Sequence, residues 1–181
     1  IPALTMRAWS EEFSSGTIEF LDSLPIPLWQ MVLAKFLALW AISLSALALS
    51  FPLWISLSWL GQPDQGVIVL GYFGAAMLMA TMIATALCVS AISENQLVVY
   101  IVSAMILLLS LLANYPLALN PIRELFSQQI VDLISSLSLL SYLQSITRGI
   151  LQLRDIFFYG ATILFWLTLN VLFLQSKKLR N

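Results

Sequence analysis

The sequence predicts an all-α polytopic membrane protein, and two observations carry that prediction. Of the 181 residues, 60% are hydrophobic and only 9% are charged, whereas soluble domains carry about 25% charged residues. The apolar residues also form long unbroken runs, and a transmembrane β-barrel would instead show alternating segments of about ten residues. High apolar content with a net charge of −1 excludes a disordered chain and gives no sign of nucleic-acid binding.

A polar stretch at residues 8–25 precedes the long apolar runs. It holds four of the nine acidic residues of the chain, and Glu11 with Glu12 suits the first turn of a helix, where the helix dipole favours negative charge. The pattern predicts a short amphipathic helix, a turn at Ser15–Gly16 and a second short helix before Pro25. Residues 1–7 are interpreted as the end of a preceding span, and we expect an N-terminal part that this sequence lacks.

Four apolar runs are predicted to cross the membrane, because about 20 apolar residues are enough for one crossing. They are residues 28–60, 67–92, 97–113 and 156–174. The first is longer than a crossing requires, which indicates a tilt, a kink at Pro52 or an extension beyond the bilayer. Residues 116–154 are too polar for a span, and they predict an external amphipathic or re-entrant segment with a break at residues 147–149.

The charges and small residues within the apolar runs suggest further roles. Lys35 is the only charge in residues 28–60, lies near one end and is interpreted as structural. Gly71, Ala75 and also Ala76, Ala80 and Ala84 recur every four residues, which indicates close helix packing. Two interpretations of Thr81 and Thr85 stay open. They line a transport path, or their hydroxyls bond back to the helix backbone.

Catalytic groups are scarce in this sequence. It has no histidine and one cysteine, Cys88, so the commonest general acid–base group and metal ligand is missing. There is no Gly-rich phosphate-binding motif of the P-loop type. We therefore expect no enzyme activity, no metal site and no cofactor in this chain.

Short motifs follow one another along the chain in a fixed order. They are residues 6–12, 15–19, 24–25, 35–36, 61–64, 71–74, 95–96, 148–149 and 153–155, followed by Tyr159. In this order and spacing they resemble the permease subunits of ABC-2 type transporters, in the gliding-motility and copper-nitrous-oxide-accessory branch.

The resemblance implies an ABC-2, type V exporter-like transmembrane domain. Such permeases have about six spans, of which about four complete ones lie in this chain. Residues 8–25 would be a cytoplasmic coupling segment that docks on the ATPase subunit, and residues 116–154 would be external re-entrant helices. The contact residues predicted for the ATPase subunit are Glu11, Glu12, Phe13, Gly16, Thr17, Ile18 and Glu19. Those predicted for the external segment are Arg148, Gly149, Arg154 and Asp155.

The expected function is that of an exporter permease in the bacterial inner membrane. A separate ABC ATPase subunit, which binds ATP and Mg²⁺, would drive it, and an identical or similar permease would complete a dimer within the membrane lipid. The basic tail, residues 175–181, predicts that the C-terminus and residues 8–25 are cytoplasmic. Two alternatives remain at this stage. The protein transports nothing and relays ATPase motion to a periplasmic partner, or residues 8–25 are only a solvated charged loop.

Overall fold

A computed structural model describes residues 1–17, 25–61, 63–113, 138–147, 149 and 152–178. This part of the chain contains helices and no strand, in agreement with the predicted all-α class. The helices are α1 (Pro2–Thr5), α2 (Ser10–Ser15), α3 (Leu28–Ala48), α4 (Phe51–Leu60), α5 (Gln65–Ser90), α6 (Gln96–Leu112), α7 (Leu139–Thr147) and α8 (Leu153–Lys178).

Among the described residues, three helical segments are long and apolar enough to cross a membrane. They are Leu28–Leu60, which contains α3 and α4, and the single helices α5 and α8. Helix α6 is also apolar, but its 17 residues lie at the lower limit of about 17 for a crossing. These helices occupy the places of the four predicted spans.

The first long segment is interrupted at Leu49–Ser50, between α3 and α4. Pro52 lies in the first turn of α4, where its missing N–H is not needed for a helical hydrogen bond. A proline ring also clashes with the carbonyl four residues earlier in a continuous helix, and that residue is Ala48, the last of α3. A kink at Pro52 was one of the three alternatives that the sequence left open, and the helix ends before the proline for this reason.

Side-chain caps fix the starts of the two central helices. The Asp64 carboxylate accepts a hydrogen bond from the Gly66 amide at 2.9 Å. The Asn95 side chain accepts one from the Leu97 amide at 3.0 Å. Both contacts satisfy amides that a helix start leaves unpaired. The Asp64 and Asn95 caps therefore set where α5 and α6 begin.

Helix α5 lies at the centre of the described bundle and contacts α1, α3, α6, α7 and α8. Its C-terminal half packs in a core with the helices on either side of it. That core contains Trp9, Val32, Phe36, Ala80, Ile83, Ala84, Leu87, Ala91 and Leu174. A second core of Leu139, Tyr142, Ile146 and Tyr159 joins α7 to α8 beside the N-terminal half of α5.

Candidate functional site

Helix α2 forms where the sequence predicts the first half of a coupling segment. Its first turn carries Glu11 and Glu12, and Gly16 follows it with a φ of 71°, a left-handed conformation that glycine adopts without steric cost. The Ser14 and Ser15 hydroxyls donate to the Glu11 carbonyl at 3.0 and 2.7 Å. The predicted helix and turn at 15–16 are therefore present. The second predicted helix, with Ile18 and Glu19, lies outside the described residues.

Lys35, from α3, holds one side of this segment. Its Nζ lies 2.5 Å from the Ala8 carbonyl oxygen and 2.5 Å from Glu12 Oε1. It also lies 4.4 Å from the centroid of the Trp9 ring, a cation–π distance. Trp9 itself is 1% exposed and belongs to the main core. The first span and the start of α2 are thus joined through one ammonium group.

Lys177, near the end of α8, holds another side of α2. Its Nζ lies 3.4 Å from the centroid of the Phe13 ring and 3.2 Å from Glu94 Oε1. Glu94 belongs to the turn between α5 and α6. Helix α2, this turn and the C-terminal end of α8 therefore lie together at one end of the bundle.

The opposite side of α2 is open. Glu11, Ser14, Ser15 and Thr17 are exposed, and we call these four residues the α2 surface. Thr17 Oγ1 lies 2.9 Å from Ser15 Oγ, so the surface continues past the end of the helix.

The predicted ATPase contacts thus separate into three groups. Glu11, Gly16 and Thr17 are exposed, whereas Glu12 and Phe13 are half-buried. Glu12 contacts Lys35, and Phe13 contacts Lys177. Ile18 and Glu19 are outside the described residues. Sequence reasoning assigned Glu12 to a basic group of a partner, and its described partner is Lys35 of the same chain. Only the tertiary fold brings these two residues together, because 23 positions separate them.

Three of the four predicted external residues, Gly149, Arg154 and Asp155, lie at the other end of the bundle. Gly149 has a φ of 81° just after α7, which ends at Thr147, where the sequence predicts a break. The Arg154 guanidinium lies 5.9 Å from the Tyr142 ring, and Asp155 is 2% exposed. Arg148 is outside the described residues. The burial of Asp155 was not anticipated, since an aspartate in a first helical turn is commonly exposed.

Tyr159 links α7 to α8 at this end. Its hydroxyl donates to the Leu139 carbonyl at 2.8 Å, and both residues are buried. One oxygen of Asp155, one turn earlier in α8, has no hydrogen-bond partner among the residues that the structure describes. The two aromatic residues Tyr142 and Phe158 stack with centroids 3.9 Å apart. These contacts pack α7 against α8.

The hydroxyls of Thr81 and Thr85 bond as the second of the two interpretations expects. They donate to the Met77 and Thr81 carbonyls at 3.1 and 2.9 Å, so they bond back to their own helix. The same two residues line a cavity of about 190 Å³, together with Ser110 and Thr162. Across the described ranges, no group of three or more His, Cys, Asp or Glu residues is placed to hold a metal ion.

Comparison with known proteins gives one match. A family model described as "ABC-2 family transporter protein" matches residues 2–174, which is almost the whole chain. No curated protein and no solved structure matches it.

Proposed function

Because this chain belongs to the ABC-2 family of transporter proteins, we propose that it is an exporter permease whose ATPase subunit docks on α2. The family makes it a membrane permease component of an ABC transporter, and such a permease works with an ATPase subunit. The proposal adds the place of docking and the direction of transport. The bound ATP and Mg²⁺ and the hydrolysis itself belong to the partner.

One observation carries the docking proposal: α2 is anchored on one side and open on the other. A docking helix must present a surface to its partner, and it must also be joined firmly to the parts that move. The α2 surface meets the first need with Glu11 and three hydroxyl groups. Lys35 and Lys177 meet the second, since they connect α2 to α3 and α8.

The distribution of basic residues supports a cytoplasmic position for α2. Lys177 and Lys178 end α8, and Lys35 lies beside α2. Cytoplasmic ends of spans carry an excess of Lys and Arg. We therefore propose four crossings, made by α3 with α4, α5, α6 and α8, with α7 on the external side of a bacterial inner membrane. A second permease, identical or similar, completes the transporter.

Charge reversal on the α2 surface tests the docking proposal. We expect Glu11→Lys to reduce retention of the ATPase subunit by about tenfold at low salt, because a like charge facing a basic partner is repelled. Raising the salt concentration should reduce this loss, since the charge is exposed and screened. Retention is measured by co-purification from native membranes.

The matched control is Gln175→Lys, which adds positive charge at the same end of the bundle but outside α2. It is exposed on α8 and should retain the ATPase subunit fully. If Glu11→Lys keeps complete assembly and full stimulation of ATP hydrolysis, α2 is not the docking site. If both variants lose the partner equally, the docking surface is wider than α2.

A further inference from the structure

Helix α2 is too short to keep its conformation alone. Isolated helices shorter than about 12 to 15 residues are marginal in water, and α2 has six residues. Trp9 occupies its N-cap position without a side-chain capping bond. The orientation of the α2 surface must therefore come from contacts with the rest of the chain.

We propose that Lys35 is the positioning residue that fixes α2 on the first span, an inference that rests on the proposed docking role of α2. An ammonium group has three donors and no acceptor. Lys35 directs it to the Ala8 carbonyl, the Trp9 ring and the Glu12 carboxylate. These three groups lie within one turn of chain, so a single side chain fixes their position relative to α3.

The environment of the pair makes this contact a strong one. The side chains of Lys35 and Glu12 are 24% and 25% exposed, and charges so covered are screened less by salt than surface charges. The second oxygen, Glu12 Oε2, is buried and has no hydrogen-bond partner in the described ranges, so Lys35 is the described cation that offsets the charge of this carboxylate. Loss of Lys35 therefore leaves a largely covered carboxylate uncompensated, which is costly, and α2 must leave its position to hydrate it.

Lys177 makes a weaker contact with α2. Its carboxylate partner Glu94 is 63% exposed and lies outside α2. Within the described part of the chain, Lys177 contacts α2 through the Phe13 ring. Exposed ion pairs contribute little to stability. We therefore assign the position and orientation of α2 chiefly to Lys35. We expect α2 to move together with α3 when the helices of the bundle shift relative to one another.

Amide hydrogen exchange in α2 measures this directly. The Phe13 amide donates to the Trp9 carbonyl and the Gly16 amide to the Phe13 carbonyl, and both bonds last only while α2 is folded in place. In the full permease in membranes, with and without its ATPase subunit, Lys35→Gln should accelerate exchange of this segment by about tenfold. Glu12→Gln should accelerate exchange by only about threefold, because the contacts of Lys35 with the Ala8 carbonyl and the Trp9 ring survive.

Three further variants make the result specific. Lys35→Arg keeps the charge, and it should restore slow exchange to within about threefold of the parent. In the permease without its ATPase subunit, Glu11→Gln, which removes an adjacent carboxylate with no contact to Lys35, should leave exchange unchanged. Lys177→Gln should accelerate exchange less than Lys35→Gln does. The Lys35→Gln and Glu12→Gln effects should also be non-additive in the double variant. Unchanged exchange in Lys35→Gln, or additive effects in the double variant, overturns the proposal.

Retention of the ATPase subunit separates this inference from the docking proposal. Faster exchange together with loss of the partner supports both. Faster exchange with full retention supports the positioning role of Lys35 and rejects docking on α2. Slow exchange with loss of the partner rejects the positioning role and leaves the docking proposal standing.

Discussion

Replacing Gly74 with alanine tests how closely α7 packs on α5. A Cβ at Gly74 would lie 3.0 Å from Leu143 Cδ1 and 3.1 Å from Ile146 Cγ2, whereas carbon atoms are at optimal separation at about 3.5 to 4.0 Å. The end of Leu143 can rotate away. Ile146 is fully buried and β-branched, so its Cγ2 is held by a stiff χ1, and α7 itself must move.

Gly71, three residues earlier on the same helix, is the matched control. A Cβ at Gly71 would meet no atom within 4 Å, so Gly71→Ala brings only the helix propensity of alanine, worth up to about 1 kcal/mol. Gly74→Ala gains the same propensity and adds an overpacking cost of about 1 to 3 kcal/mol. The helix-propensity contributions cancel, so the free energy of unfolding should be about 1 to 3 kcal/mol lower for Gly74→Ala than for Gly71→Ala.

Thermal unfolding of the purified protein in detergent measures this difference. For a chain of this length, 1 kcal/mol shifts the melting temperature by about 2 to 4 °C, so Gly74→Ala should melt roughly 5 °C below Gly71→Ala. Equal melting temperatures, or a more stable Gly74→Ala, would refute the close approach of α7 to α5.

Two more substitutions test single polar groups. Tyr159→Phe removes the hydroxyl that donates to the buried Leu139 carbonyl and should cost about 0.5 to 1.5 kcal/mol, measured by the same unfolding assay, while Tyr100→Phe on an exposed position should cost nothing measurable. Asn170 is fully buried, and neither polar atom of its side chain has a partner in the described ranges. Asn170→Leu should therefore raise the melting temperature, since an unpaired buried amide costs about 1 to 3 kcal/mol. A lower melting temperature would show that the amide is paired.

Composition and run length were enough to predict the class and the places of the long helices. Local signals also located the turn at Ser15–Gly16, where glycine takes a left-handed conformation, and the break after Thr147. Such features depend on a few neighbouring residues, so a single sequence contains the information. The small-residue stripe was interpreted less well: Ala80 and Ala84 pack in the core, whereas a Cβ added at Gly71 would meet no neighbouring helix within 4 Å.

The division of the candidate site into an anchored and an open side was not predictable. Glu12 and Phe13 have the polar and apolar character expected of docking residues, and nothing local distinguishes them from Glu11. Their partners Lys35 and Lys177 lie 23 and 164 positions away along the sequence. Only helix packing brings these residues together. The periodicity of a six-residue helix does not indicate which distant residues will pack against it.

The interruption between α3 and α4 has a consequence for the surrounding lipid. Helix α3 has 21 residues, about 31 Å at 1.5 Å per residue, and it alone matches a hydrocarbon thickness of about 30 Å. Helix α4 buries none of its residues, and Trp59 and Leu60 are each 87% exposed. This apolar surplus creates a hydrophobic mismatch at the end far from α2. Where lipid rather than a second permease surrounds α4, the bilayer thickens or α4 tilts, and acyl-chain length then acts at the end of the bundle opposite α2.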